Sequence, residues 1–213
     1  MRLQATEGFD LQRVDEQGRS RPQGQVLVKS ITNFVGYYKM RAKTDETIRD
    51  DGWLFTGDVA ELNPEKGSIR VFDRVSSIIK MSQGEFVSPD KMENTYAESF
   101  FVSQMFVYGN SFRDYLVALI HPNEDVVKKF AEEHKIHEES FDALLKRPEI
   151  IKAVDDSLRA IDASRKVMAL ERVKRFAFIT EPMSVENGML TDSMKLKRRV
   201  IYAHYKELID SLF

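Results

Sequence analysis

The sequence predicts a mixed chain of the α/β (α+β) class, β-rich over its first 75 residues and alternating between strand and helix thereafter. Three observations carry this. Before residue 75 the apolar residues recur in short runs, one with period two, broken by Gly and Pro. After residue 76 branched and aromatic runs take turns with longer stretches of helical spacing. The change of pattern falls at 74–76, which makes 1–75 and 76–213 the two expected parts.

The elements follow in order. GQVLVKS, 24–30, alternates Val26 and Val28 with polar neighbours and reads as a strand. TNFVGYYK interrupts the pattern at Gly36. LFTGDVAEL and GSIRVFDR are two strands joined by NPEKG, whose Pro64 and Gly67 are turn chemistry, so a hairpin is expected. SSIIKM is a short apolar stretch. A helix then starts with Ser88 as N-cap, Pro89 at its first position and Asp90 in its first turn, with Met92, Tyr96 and Phe100 on one face. MFVYG and YLVALIHP are strands, and Pro122 ends the second. Asn123 caps a helix to 135 with Val126, Val127, Phe130 and His134 on one side. Residues 148–168 form another, with Ile151, Val154, Leu158, Ile161 and Met168 inward. RFAFIT is a strand. LTDSMKLKRR is a loop entering a last helix with Leu196, Val200, His204 and Leu208 on one face.

Composition narrows the functions. Hydrophobic residues make up 42%, enough for a core, and charged residues 31%. With 32 basic and 34 acidic residues the net charge is −2, so there is no general attraction to nucleic acid or to a membrane surface. The absence of cysteine excludes disulfides, thiolate catalysis and cysteine–zinc sites, and is compatible with a reducing compartment. The N-terminus lacks the apolar segment of a signal peptide, and no run reaches the roughly 18 apolar residues of a membrane span. There is no internal repeat, no G-x-S-x-G, no phosphate-cradling Walker loop and no G-x-G-x-x-G.

Four places carry candidate chemistry, each with a plainer reading. Asp58 ends Thr56-Gly57-Asp58. Its carboxylate can accept from two vicinal hydroxyls, as acidic residues do with ribose, or simply cap a turn. Arg74 follows Asp73 at a strand end and suits a phosphate bidentately, or pairs with Asp73 or another neighbour at the surface. Ser82, Gln83 and Gly84 form a loop poor in side chains, which lets a thin ligand pass along the backbone or is an ordinary connection. Lys195, Lys197, Arg198 and Arg199 gather at a helix start. One lysine there can meet a phosphate or carboxylate; otherwise the cluster is a solvated basic face, disfavoured by the helix dipole. The four histidines offer only the 134/137 pair at short spacing, which reads as surface.

In their order and spacing these stretches resemble one family. GQVLVKSITNFVGYYK, TDETIRDDGWLFTGDVAELN, GSIRVFDRVSSIIKMSQGEFVSPDKME and LTDSMKLKRR are together similar to the C-terminal third of the adenylate-forming acyl-CoA synthetases. DR in place of GR, the extra residue in KMSQGE and the form of LTDSMKLKR resemble the long-chain fatty acid branch. The similarity runs from about Gly24 to the end.

The resemblance implies a fold: the β-rich end of a large N-terminal domain (1–75), followed by a small mobile α/β lid (76–213). It implies ATP or AMP, Mg2+ and coenzyme A as cofactors and a fatty acid as substrate. It assigns Asp58 to the ribose hydroxyls, Arg74 to the phosphate and ribose region, Gly84 to the pantetheine passage and Lys195 to catalysis of adenylation. The hinge falls on Ser76, where the family usually carries Asp or Lys, and Asp192 stands where a proline is usual. The family's Ser/Thr/Gly-rich phosphate loop and metal-binding glutamate have no counterpart in these 213 residues. The expectation is therefore a fragment, inactive alone, whose partner is the upstream part of its own chain. Apolar surface uncovered in residues 1–75 would favour a dimer or disorder in 1–50. The expected location is cytoplasmic or peripheral on an intracellular membrane. A stand-alone module that binds nucleotide, coenzyme A or a partner is the competing reading; a nucleic-acid binder using 195–199 ranks last.

Overall fold

The computed structural model describes residues 1–75 and 77–213, Phe72 by its backbone alone. The chain divides into two compact units, Met1–Ile78 and Ile79–Phe213.

The first unit contains β1 (Arg2–Gln4), β2 (Gln23–Val28), α1 (Arg41–Thr47), β3 (Leu54–Asn63) and β4 (Ser68–Arg74). Its strands form an antiparallel sheet in the order β1-β2-β3-β4. The expected hairpin is β3–β4: Asn63 stands opposite Ser68, and the Asn63 side chain accepts from the Glu65 and Lys66 amides. In β2 the strict alternation fails. Val26 and Leu27 are both buried while Val28 is half-buried, because the register against β3 shifts between Gln25 and Leu27. Ile31, Val35 and Tyr38 are exposed.

The second unit contains β5 (Ile79–Lys80), β6 (Phe86–Val87), α2 (Pro89–Tyr96), β7 (Val102–Tyr108), β8 (Leu116–Pro122), α3 (Glu124–Glu133), α4 (Phe141–Leu144), α5 (Pro148–Ser164), β9 (Val173–Phe178), α6 (Arg198–His204) and α7 (Lys206–Ser211). The main sheet has the order β7-β8-β9, with β8 antiparallel to β7 and parallel to β9. Strand β8 is central and covered on both faces, which is why its sequence is a continuous apolar run instead of an alternation. Val107, Leu116, Ala118 and Ile120 meet Met92 and Tyr96 of α2 and Val154 and Leu158 of α5. The alternate residues Phe106, Val117 and Leu119 meet Ile201 of α6 and Ile209 of α7 on the other face. Each fully buried Leu or Ile contributes about 1.5–3 kcal/mol. A third cluster joins Val127 and Ala131 of α3 to Leu144 and Ile150.

Helix ends depart from several expectations. Ser88 caps α2 by accepting from the Lys91 amide, and Asn123 caps α3 by accepting from the Val126 amide, both as read. But α2 stops at Tyr96, so Phe100 is exposed and not on its inner face. Helix α5 stops at Ser164, which leaves Met168 exposed. The last helix breaks at Tyr205, and the inward residues are Ile201 and Ile209; Val200 and His204 face solvent. His134 is exposed and stacks on Phe130, and His137 is exposed. The expected hinge residue, Ser76, lies outside the described residues.

Candidate functional site

The first site is built by the β3–β4 hairpin. Asp58 stands directly opposite Arg74 in the ladder. The Arg74 Nε lies 3.3 Å from Asp58 Oδ1, and its Nη2 donates to the Thr56 carbonyl at 3.3 Å. The Arg74 guanidinium thus pairs across the strands with Asp58, while its backbone amide donates to Asp73 Oδ1 at 2.6 Å. Gly57 has φ +79°, a conformation most side chains avoid, and an added Cβ would sit 3.5 Å from the Arg74 guanidinium. Its carbonyl accepts from the Val75 amide at 2.8 Å, which closes the end of the hairpin. Thr56 Oγ1 donates to the Val26 carbonyl and accepts from the Asp58 amide at 3.0 Å, fixing the backbone from which the carboxylate projects. Sequence reading left Thr56 without a role; a hydroxyl two residues before the acidic group is the signal that would have found it.

Asp58 is half-buried and Arg74 exposed. Together they present a two-oxygen acceptor beside a planar, permanently charged donor. Such a pair can accept from a sugar diol and donate to a phosphate.

The second unit carries the other two predicted residues on separate turns. Gly84 sits in the turn between β5 and β6, closed by the Gly84 amide on the Met81 carbonyl (2.9 Å) and the Met81 amide on the Glu85 carbonyl (2.8 Å). Its φ is +84°, and nothing lies within 4 Å of the place a Cβ would occupy. The backbone is therefore open to a thin ligand. The Ser82 amide ties the turn to the Arg113 carbonyl at 3.1 Å.

Lys195 lies on the turn before α6. The Thr191 amide donates to the Lys195 carbonyl at 2.8 Å, Thr191 Oγ1 accepts from the Lys195 amide, and Leu190 bridges Leu196. Met194 takes φ +60° to make the bend. The Lys195 ammonium is exposed and makes no ion pair among the described residues. So the basic cluster is not one face. Lys195, Lys197 and Arg199 are exposed, whereas Arg198 turns inward to Asp90 and Glu93.

Glu93 was missed from the sequence. It accepts from the Val107 amide at 2.8 Å and from Arg198 Nη2 at 2.7 Å. Burial pushes its carboxyl up to about 7, against the opposing pull of Arg198 and the Val107 amide. A groove of about 650 Å³ lies elsewhere on the unit, between β9 and α7, lined by Phe176, Phe178, Tyr205 and Leu208, and neither Gly84 nor Lys195 borders it. Among the described residues there is no cluster of three metal-ligating side chains, and no helix is long and apolar enough to cross a membrane.

Comparison with known proteins gives the arrangement a family. The family model for the AMP-binding enzyme C-terminal domain matches residues 76–213. The peroxisomal long chain acyl-CoA synthetase 6 of Arabidopsis thaliana is 35% identical over 192 residues, 90% of this chain and 27% of its own length. Fatty acyl-CoA synthetase A of Dictyostelium discoideum is 36% identical over 194 residues, 90% of this chain and 29% of its own. The chain thus spans under a third of these relatives. Among solved structures, the adenylation domain of a carboxylate reductase from Mycobacterium chelonae superposes with TM-score 0.82 at 33% identity, over 99% of this chain and 30% of that one. The corresponding domain from Segniliparus rugosus, in complex with AMP and a co-purified carboxylic acid, gives 0.81 at 30% identity, over 99% and 31%. Matched by that family model over residues 76–213, the chain belongs to the AMP-binding, adenylate-forming enzymes.

Proposed function

We propose that this chain is the C-terminal part of an ATP-dependent long-chain fatty acid–CoA ligase. The observation that carries the reading is the placement of Asp58 opposite Arg74, whose guanidinium lies against a glycine in the left-handed conformation. In this reading 1–75 closes a large adenylating domain and 76–213 is its mobile lid.

The reaction has two steps. A fatty acid carboxylate oxygen attacks the α-phosphorus of ATP, and pyrophosphate leaves with the electron pair of the broken P–O bond. The coenzyme A sulfur, as thiolate, then attacks the acyl carbonyl, and AMP leaves. Asp58 accepts from the ribose hydroxyls and Arg74 donates to the nucleotide through both steps. Lys195, exposed and without an ion pair among the described residues, places its charge on the phosphate and carboxylate oxygens in the first. In the second, the open backbone at Gly84 borders the pantetheine arm. The described residues offer no cluster of three metal-ligating side chains, so a magnesium ion would come with ATP and neutralise its phosphate charge there. The two transition states need different preorganised groups at one centre, and a hinged unit supplies them in turn.

The test is a chimaera in which this chain replaces the matching segment of the Dictyostelium enzyme. It should form acyl-CoA from a long-chain fatty acid, ATP and coenzyme A, while the 213-residue chain alone should not. A folded chimaera that forms no acyl-adenylate would defeat the reading.

A further inference from the structure

Arg198 is the one basic residue of the 195–199 cluster that the fold turns inward, and its partners are unusual in where they lie. Its Nη2 meets both Asp90 and Glu93, with Glu93 Oε2 at 2.7 Å. Its Nη1 donates to the Val107 carbonyl at 3.2 Å, and its guanidinium lies 5.6 Å from the Phe106 ring centre. Glu93 in turn holds the Val107 amide. One guanidinium therefore joins three elements: the start of α6, the first turns of α2 and the end of β7.

Those elements are the supports of the two functional turns. Lys195 stands three residues before Arg198, and the strand leg between them is pinned by the Lys197 amide on the Met189 carbonyl at 2.8 Å. The Gly84 turn runs through β6 directly into α2, whose first turn carries Asp90. Resting on the functional reading above, we infer that Arg198 is the positioning residue for Lys195, clamping its turn to the helix that follows the Gly84 turn.

The geometry says why lysine would not serve. The contacts to Asp90, Glu93 and Val107 use two separate guanidinium nitrogens in a fixed fork. An ammonium keeps the charge but not the fork. It can still meet the carboxylates that Nη2 holds but releases the Val107 carbonyl that Nη1 holds, letting the turn drift. Misplacement by about 1 Å costs up to roughly 100-fold in rate. The loss should fall on the step that uses Lys195.

Two measurements test this. In the 213-residue chain, Arg198→Lys should speed hydrogen exchange at the Thr191 and Lys195 amides at least 10-fold, with Tyr96 and β8 protection unchanged. In the chimaera, Arg198→Lys should lower ATP–pyrophosphate exchange about 10-fold and leave thioester formation from preformed acyl-adenylate intact. Adding it to Lys195→Ala should cost nothing further. Unchanged exchange at the turn, equal losses in both half-reactions, or full additivity with Lys195→Ala would overturn the proposal. If Lys195→Ala itself leaves pyrophosphate exchange untouched while the turn loosens in Arg198→Lys, the functional reading fails and the structural clamp stands. Glu93→Gln, which keeps shape and an acceptor for Arg198, should loosen the turn less than Arg198→Lys; the reverse order would place the support in Glu93 instead.

Discussion

Asp58 and Arg74 are separated along the chain but opposed across a ladder, and the chemistry of the first site lies in that opposition. Asp58→Asn keeps the shape and removes the charge and one acceptor. Hydrogen bonds to a charged group contribute about 1.5–3 kcal/mol, so AMP binding by the chimaera should weaken roughly 10- to 150-fold in titration calorimetry. Gly57→Ala forces a side chain into φ +79°. It should destabilise the chain by about 1–2 kcal/mol in denaturant unfolding, even though the contact with Arg74 at 3.5 Å is ordinary. Single residues of this kind were legible because glycine and aspartate in sequence already imply a bend and an acceptor. The partner of Arg74 was not: Asp73 is adjacent in sequence, but successive strand residues point to opposite faces. The inward turn of Arg198 was hidden for a similar reason, since its partners Asp90 and Glu93 lie about a hundred residues away.

Elements were legible where their ends are set by local chemistry. Ser88-Pro89 and Asn123 start their helices as neighbouring residues dictate. Where an end is set by packing, spacing ran on too far, as it did past Tyr96 toward Phe100. Tyr96 is the last inward residue of that helix. Its ring is buried, its hydroxyl donates to buried Asp162 at 2.6 Å, and it accepts from the Val173 amide at 3.2 Å. Burial and the Asp162 carboxylate hold that hydroxyl well above its ordinary pKa. Tyr96→Phe strands the Val173 amide and one Asp162 oxygen, and should cost about 1–3 kcal/mol with a matching fall in Tm. Glu93 ties α2 to pH. A folded-state pKa of about 7 lies above the ordinary 4.5, so the folded state holds the proton more tightly. The associated stability is complete below about 4.5 and is lost as pH rises to about 7. Relative to Glu93→Gln, the chain should lose up to about 3 kcal/mol over that window in unfolding titrations, and parallel pH profiles would exclude it.

At the scale of the whole molecule, the chain holds two compact units, and the proposed function places Asp58 with Arg74 in one and Gly84 with Lys195 in the other. In the proposed mechanism Lys195 and Gly84 serve different steps of one reaction. The most direct measurement is the pair of half-reactions in the chimaera, assayed for Lys195→Ala and Gly84→Val. Lys195→Ala should cut ATP–pyrophosphate exchange about 100- to 1,000-fold and spare thioester formation from preformed acyl-adenylate. Gly84→Val, which puts a branched side chain at φ +84° on the pantetheine passage, should do the reverse. Equal losses in both half-reactions for either variant would contradict the account.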